Sequence, residues 1–170
     1  MKAKVLGKLD PKIISKADRE IAKSLQTRTT KWLGEVEPIA LSLTNPYMMA
    51  LLDFGAKYGF KYKETRLYTG PCLLPLDGTV LWHDDSGIGH LLCWVLEVRK
   101  FGRSFDESRN TPALLSQTGR EVEQLESLVP GTVFVFNGDV GHAWLSNESC
   151  LLAQVTVSPI RGKLRQVADQ

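Results

Sequence analysis

Cysteine is scarce in this chain: Cys72, Cys93 and Cys150 are odd in number and far apart. They form no Cys-x-x-Cys pair, which argues against a structural zinc site or a disulfide framework. A reducing, cytoplasmic setting is the simplest expectation for such thiols. Long apolar runs are also lacking. None approaches the roughly 20 residues that span a bilayer. The opening Met1-Lys-Ala-Lys-Val-Leu-Gly-Lys8 has no apolar stretch of the kind a secretory signal carries. Neither a membrane partner nor export is therefore expected. Strong charge of one sign is missing as well, the net value being only +2. What remains is an ordinary globular composition of 170 residues, 43% hydrophobic and 24% charged, expected to form a single domain over residues 1–170.

The small net charge is unevenly spread, because residues 1–31 hold nine Lys/Arg against three Asp/Glu. One reading is a basic face for nucleic acid or another acidic partner. A solvated helix face is the favoured alternative, since charge blocks this short are common on surfaces.

Two early helices carry clear start signals. Asp10 can cap the first, with Pro11 in the first turn, and Ile13, Ala17, Ile21 and Leu25 then mark one apolar stripe. That stripe predicts a brace packed on the domain with its lysines outward. Asn45-Pro46 repeats the signal for a helix running to Tyr58, with Gly59 as its stop. Ile39–Leu43 looks like a strand between them. After Gly59 the text becomes short β-type runs near Phe60–Tyr68, Thr79–Trp82, His90–Lys100, Ala113–Gln117, Glu121–Leu125, Thr132–Phe136, Ala143–Leu145 and Leu151–Ser158, parted by turn residues. No internal repeat is present. This pattern predicts a mainly β fold: a double-stranded β-helix (jelly-roll) core over residues 60–160, with supporting α-helices and a first strand over 1–59.

Histidine is rarer still than most polar residues, with three in all, and two of them end apolar runs. His83 stands two positions before Asp85, after Gly78-Thr-Val-Leu-Trp82. His142 follows Pro130-Gly131 and the run Thr132–Phe136. Residues two apart on a strand share a side, so His83 and Asp85 can grip one ion, and a histidine from another strand can complete the face. Two histidines and a carboxylate with open positions opposite suit non-haem Fe(II) and oxygen chemistry. Alternation favours Asp85 over Asp84, and Asp139 reads as a turn residue of Asn137-Gly-Asp139.

The His83-x-Asp85 … His142 spacing resembles the Fe(II)/2-oxoglutarate-dependent oxygenase superfamily. Text similar to that around His142 surrounds the second iron-binding histidine of aspartyl/asparaginyl β-hydroxylases and prolyl 4-hydroxylases. Arg66-Leu-Tyr68-Thr-Gly70 is similar to the strand those enzymes place before the metal motif. The resemblance implies a dioxygenase in which His83, Asp85 and His142 are the catalytic metal ligands, Fe(II) is the metal and 2-oxoglutarate is the cosubstrate. Hydroxylation of an unactivated C–H bond is the outcome it implies, on a substrate it leaves open.

The family also implies a cation for the cosubstrate carboxylate about ten positions after the second histidine, because a charge-assisted contact offsets desolvation of the anion. Position 152 is leucine. Lys100 and Arg161 are the available substitutes, and Tyr68 is a candidate hydroxyl donor to the keto acid. Strand parity puts Cys150, Leu152, Gln154 and Thr156 on one side, and it groups His90, Leu92, Trp94, Leu96 and Val98 with Lys100. His90 could on that ground touch substrate. The cupins share the fold, and Gly131 and His142 fit the frame of their second motif. Asn137 and Asp139 stand where that motif has proline and glycine, and His83-x-Asp85 departs from the first. A cupin-type metalloprotein without 2-oxoglutarate and a non-catalytic jelly-roll binding or assembly module are the alternatives.

Overall fold

The computed structural model describes residues 2–27, 37–65, 70–85, 87–100, 112–146 and 148–160. Eight strands build its core: β4 (Cys72–Asp77), β5 (Val80–His83), β6 (His90–Lys100), β7 (Ala113–Thr118), β8 (Glu121–Leu125), β9 (Thr132–Asn137), β10 (His142–Leu145) and β11 (Glu148–Pro159). Their antiparallel pairs are nested. The first pairs the last (β4 with β11), then β5 pairs β10, β6 pairs β9, and β7 pairs β8 across the central hairpin. Further pairing of β6 with β11 and of β7 with β10 gathers these strands into two sheets, β9-β6-β11-β4 and β5-β10-β7-β8. A long hairpin folded over into two sheets in this order is a jelly roll, or double-stranded β-helix, as the strand pattern predicts.

Three short strands widen the first sheet: β1 (Lys4–Lys8) on β9, β2 (Ile39–Ala40) on β4, and β3 (Phe60–Tyr62) on the far end of β11. The sequence pattern misses β1, which lies within the basic segment over residues 1–31. It misses β4 too, because Pro75 interrupts the run. The structure shows why proline is tolerated there. β2 pairs only Leu73 and Cys72, so at Pro75 the outer side of β4 has no described strand to which an N–H would have to donate. Of the expected strand Phe60–Tyr68, only Phe60–Tyr62 is strand among the described residues, and Tyr68 and Arg161 lie outside them.

Two apolar layers result. One fills the space between the sheets, with Leu91, Cys93, Val95, Phe134, Phe136, Trp144 and Leu152. The other lies between the outer face of the larger sheet and the helices, with Leu92, Trp94, Leu151, Ala153, Val155 and Val157. Helix α2 (Pro46–Lys57) forms as expected: the Asn45 side chain accepts from the Tyr47 N–H at 3.0 Å, and Pro46 occupies the first turn. Its Tyr47, Met48 and Leu51 are buried on the sheet. Gly55 lets it approach, since a Cβ there would stand 2.7 Å from a Leu92 methyl.

The first helix departs from its expected face. Asp10 does cap, but only a short 3-10 turn over Pro11–Ile13, and the helix proper, α1 (Lys16–Thr27), starts afresh after Ser15. Ser15 and Asp18 hydrogen-bond at this second start, the Asp18 N–H donating to the Ser15 hydroxyl. The break shifts the phase of the stripe. Ile13 and Ile21 are 62% and 58% exposed, and Ala17 is exposed as well. Ile14 and Ala22 are the buried contacts instead, each 4% exposed. The helix still rests on the domain, but through the other side of its apolar set.

Ile14→Ala should therefore destabilise the protein by about 2–4 kcal/mol, whereas Ile21→Ala should change stability by no more than about 0.5 kcal/mol. Urea unfolding of both variants checks this, and equal costs would return the buried face to the stripe read from sequence.

Candidate metal centre

The site begins with a strand pairing. His83 closes β5, His142 opens β10, and the two are directly opposed across the antiparallel ladder. A register shift follows, so that Trp144 lies opposite Val80. The extra residue on β5 lets both Val80 and His83 face the interior, although simple alternation would separate them. Asp85 arrives by a different route from the one expected. It is beyond the end of β5, not on the strand, and a turn positions it: its N–H donates to the Gly138 carbonyl at 2.8 Å, and its own carbonyl accepts from Ile88 at 3.1 Å. Asp139 is a turn residue, as its sequence context suggests, accepting from the Gly89 N–H at 3.0 Å.

These three residues converge. One ligand atom from each of His83, Asp85 and His142 lies within 4.8 Å of the others. His142 Nε2 is 3.2 Å from Asp85 Oδ2, and His83 Nε2 is 3.8 Å from Asp85 Oδ1. The imidazole rings are 4.4 Å apart between centroids. Exposure falls from 40% for the His83 side chain through 23% for Asp85 to 6% for His142, so the cluster opens to solvent on one side only.

The donor chemistry fits a cation. His83 Nδ1 lies 2.7 Å from the Leu81 carbonyl, and His142 Nδ1 lies 2.8 Å from that of Val140. A carbonyl oxygen only accepts, so each Nδ1 must carry the proton. In the neutral imidazole that leaves Nε2 as a lone pair, and both lone pairs point toward a carboxylate. Such an arrangement repels itself unless a proton or a metal ion lies between, and backbone carbonyls holding the far nitrogens are how metal-binding histidines are oriented. These residues can hold a metal ion.

Behind them is a cavity of about 460 Å³. Its walls are mostly apolar, with Leu74, Leu76, Leu114, Phe134, Phe136, Trp144 and Leu152 among them. Trp82 stands at the exposed side, 47% exposed. It packs so closely that a Cβ on Gly141 would come within 2.5 Å of its Nε1. Thr79, Cys93 and Gln154 break the apolar lining apart from the three clustered residues. The Cys93 thiol donates to Gln154 Oε1 at 3.4 Å. Burial first, then Cys72 and Asp85, push the Cys93 thiol well above its usual value, and burial raises Cys72 to about 12. Both thiols are therefore protonated at neutral pH.

The residues expected to hold 2-oxoglutarate are not gathered here. Leu152 lines the cavity, where the family would place a cation, and no Lys or Arg appears among the described lining residues. Lys100 is about 23 Å further along β6 than Cys93. Its cross-strand neighbour is Glu148, a buried carboxylate whose Oε1 has no partner among the described residues. The Lys100 side chain, like Arg161 and Tyr68, lies outside the described residues. His90 does not line the cavity. Parity along β6 turns Leu92 and Trp94 to the helix side, while Leu91, Cys93 and Val95 face between the sheets. The grouping of His90 with a pocket-facing row is corrected accordingly. Burial, foremost, lowers the His90 pKa. On β11 the expected parity is observed, Cys150, Leu152 and Gln154 facing inward.

No protein-family model matches the sequence, and comparison with curated proteins finds no match. Several solved structures are similar at a distance. A protein from Neisseria meningitidis superposes with a TM-score of 0.39 at 15% identity, over 80% of this chain and 95% of that one. A cupin-2 domain-containing protein from Shewanella frigidimarina gives 0.37 at 12%, over 82% and 91%. The cupin domain of Drosophila melanogaster CENP-C gives 0.41 at 8%, over 84% and 99%. The fold stated above rests on the nested strand pairs, and these distant likenesses say nothing of chemistry. Among the described residues no helix is long and apolar enough to cross a membrane.

If the cluster binds a divalent ion, a hundredfold excess of Zn(II) or Co(II) over its dissociation constant should stabilise the fold by about 2.7 kcal/mol. The shift should vanish in His142→Ala and Asp85→Ala and persist in Asp84→Ala. Thermal melts with and without metal read it directly, and a shift that survives His142→Ala would move the ion elsewhere.

Proposed function

We propose that this chain is a mononuclear metalloenzyme of the cupin type that binds Fe(II) through His83, Asp85 and His142 and oxidises a small, largely apolar molecule with dioxygen. The observation that carries this reading is the convergence of two Nδ1-anchored imidazoles and one carboxylate at the open side of an apolar cavity. Two histidines and a carboxylate are the ligand set that suits non-haem Fe(II) while leaving positions open. When bound, Fe(II) would supply the site at which dioxygen and substrate meet.

The protein residues do the rest. The Leu81 and Val140 carbonyls hold the imidazoles in one tautomer and one orientation. The Gly138 carbonyl holds the loop that presents Asp85. Leu74, Phe134, Phe136 and Leu152 exclude water from the substrate side. Trp82, fitted over Gly141, narrows the entrance.

2-Oxoglutarate, which the sequence resemblance implies, is not part of the proposal. Burying its carboxylate without a cation costs several kcal/mol, and Leu152 stands in the cavity where that cation is expected. Without a keto acid, the electrons that dioxygen takes up must come from the substrate itself. An electron-rich substrate, such as a phenol or an unsaturated ring, follows from that balance.

Anaerobic Fe(II) titration followed by oxygen uptake tests this reading. Uptake with electron-rich apolar compounds should depend on Fe(II), disappear in His142→Ala, and be indifferent to added 2-oxoglutarate. Enzyme-dependent loss of 2-oxoglutarate, abolished by the same substitution, would restore the cosubstrate. A chain that binds no metal at all would be a jelly-roll binding module.

A further inference from the structure

Gln154 is a polar side chain of the cavity whose hydrogen-bonding capacity is only half used among the described residues; Trp144 Nε1 also lacks a partner there but is fully enclosed. It belongs to β11, the strand paired along both edges, and is 4% exposed. Its cross-strand neighbours are Cys93 on one side and Cys72 on the other. The Cys93 thiol donates to the amide oxygen, Oε1, at 3.4 Å. The opposite end, Nε2, keeps two N–H donors, for which the described residues offer no acceptor. The residue lines the same cavity as the His83–Asp85–His142 cluster. An amide donor left without a partner beside an apolar space is costly unless something there accepts from it.

We propose that Gln154 is the substrate-orienting residue of this site, and that the cavity takes a neutral, mainly hydrocarbon molecule bearing one acceptor oxygen, a ketone, phenol or ether, which Gln154 Nε2 binds. The inference rests on the cavity described above and deepens the proposed function by naming how its substrate is read. The walls supply shape and desolvation but little direction, since Leu74, Phe134 and Leu152 contact any apolar surface alike. A single donor at a fixed place turns such a pocket from a solvent for hydrocarbons into a site with one orientation. The absence of Lys and Arg from the described lining selects against carboxylates and phosphates. A site built to bind an oxygen rejects the analogue lacking it more strongly than an apolar wall rejects a missing methylene. Gln154 touches substrate and not the metal ligands, so its loss should leave metal binding intact.

A matched pair of probes tests this without knowledge of the natural substrate. α-Tetralone and tetralin share a ring framework and differ in a ketone oxygen. Their binding to the full chain is measured by calorimetric titration, both metal-free and loaded with redox-inert Zn(II). In the native protein α-tetralone should bind about tenfold more tightly than tetralin in both states, a difference typical of one hydrogen bond. Gln154→Leu should abolish that preference while leaving tetralin affinity and Zn(II) affinity unchanged. Gln154→Met, which keeps the length of the chain without a donor, replaces Leu if the leucine variant does not fold. Equal binding of the two probes to the native protein would overturn the proposal, as would failure of both to bind. A preference that survives in the variants also overturns it, and if that preference appears only with Zn(II), the metal reads the oxygen. Loss of Zn(II) binding in the native protein would instead count against the metalloenzyme reading and leave the metal-free comparison intact.

Discussion

Strand β11 is the constraint on which the rest of the molecule hangs. It is hydrogen-bonded along one edge to β6 and along the other to β4 and β3. It is buried on both faces from Cys150 to Val157. Its outer side chains, Leu151, Ala153, Val155 and Val157, carry the helices. Its inner ones, Cys150, Leu152 and Gln154, line the space between the sheets. A strand enclosed in this way must satisfy every backbone group through its neighbours, because no water reaches them. That requirement fixes the registers of β6 and β4. Because each core strand is one half of a nested pair, the remaining registers follow.

The candidate centre sits where this closed framework opens. Sheet pairing aligns His83 with His142, but two local departures from regular structure complete the site. A bulge on β5 brings His83 to the same side as Val80, and a turn beyond the strand presents Asp85. Regular alternation would have produced a wall, whereas the irregularity makes a mouth. The carbonyls of Leu81 and Val140 belong to the same irregular segments, so the geometry that opens the barrel also sets the tautomers of its histidines. Ligand orientation and access are thus consequences of one structural feature.

Polarity is distributed as sharply as shape. The candidate ligand residues are graded from exposed His83 to buried His142, and the rest of the cavity lining is apolar except for Thr79 and the Cys93–Gln154 pair. The three thiols are buried and protonated, so none is a nucleophile at neutral pH.

Much of this was legible in the sequence, and the parts that were not share a cause. Periodicity and turn residues predict the jelly roll, helix α2 with its Asn45 cap, and the inward parity of Leu152 and Gln154, because each depends on residues adjacent in the chain. The grouping of His83, Asp85 and His142 is also readable, from residue type and position alone. Three things are not. The phase of the first helix depends on the break at Ser15, which a stripe of isoleucines conceals. Strand β4 tolerates Pro75 only because its neighbour β2 is short. The side of β6 that faces the cavity depends on a bulge against β11, where Leu151 lies opposite Glu97 and Leu152 opposite Val95. The sequence by itself determined which elements form and which residues can bind a metal, since local sterics, hydrophobic period and donor chemistry are written in the chain. Only the tertiary structure decided which faces meet, how Asp85 reaches the histidines, and that Gln154 lines the cavity beside Cys93. Each of those is set by the register of strands far apart in sequence, and register is a property of the assembled sheet.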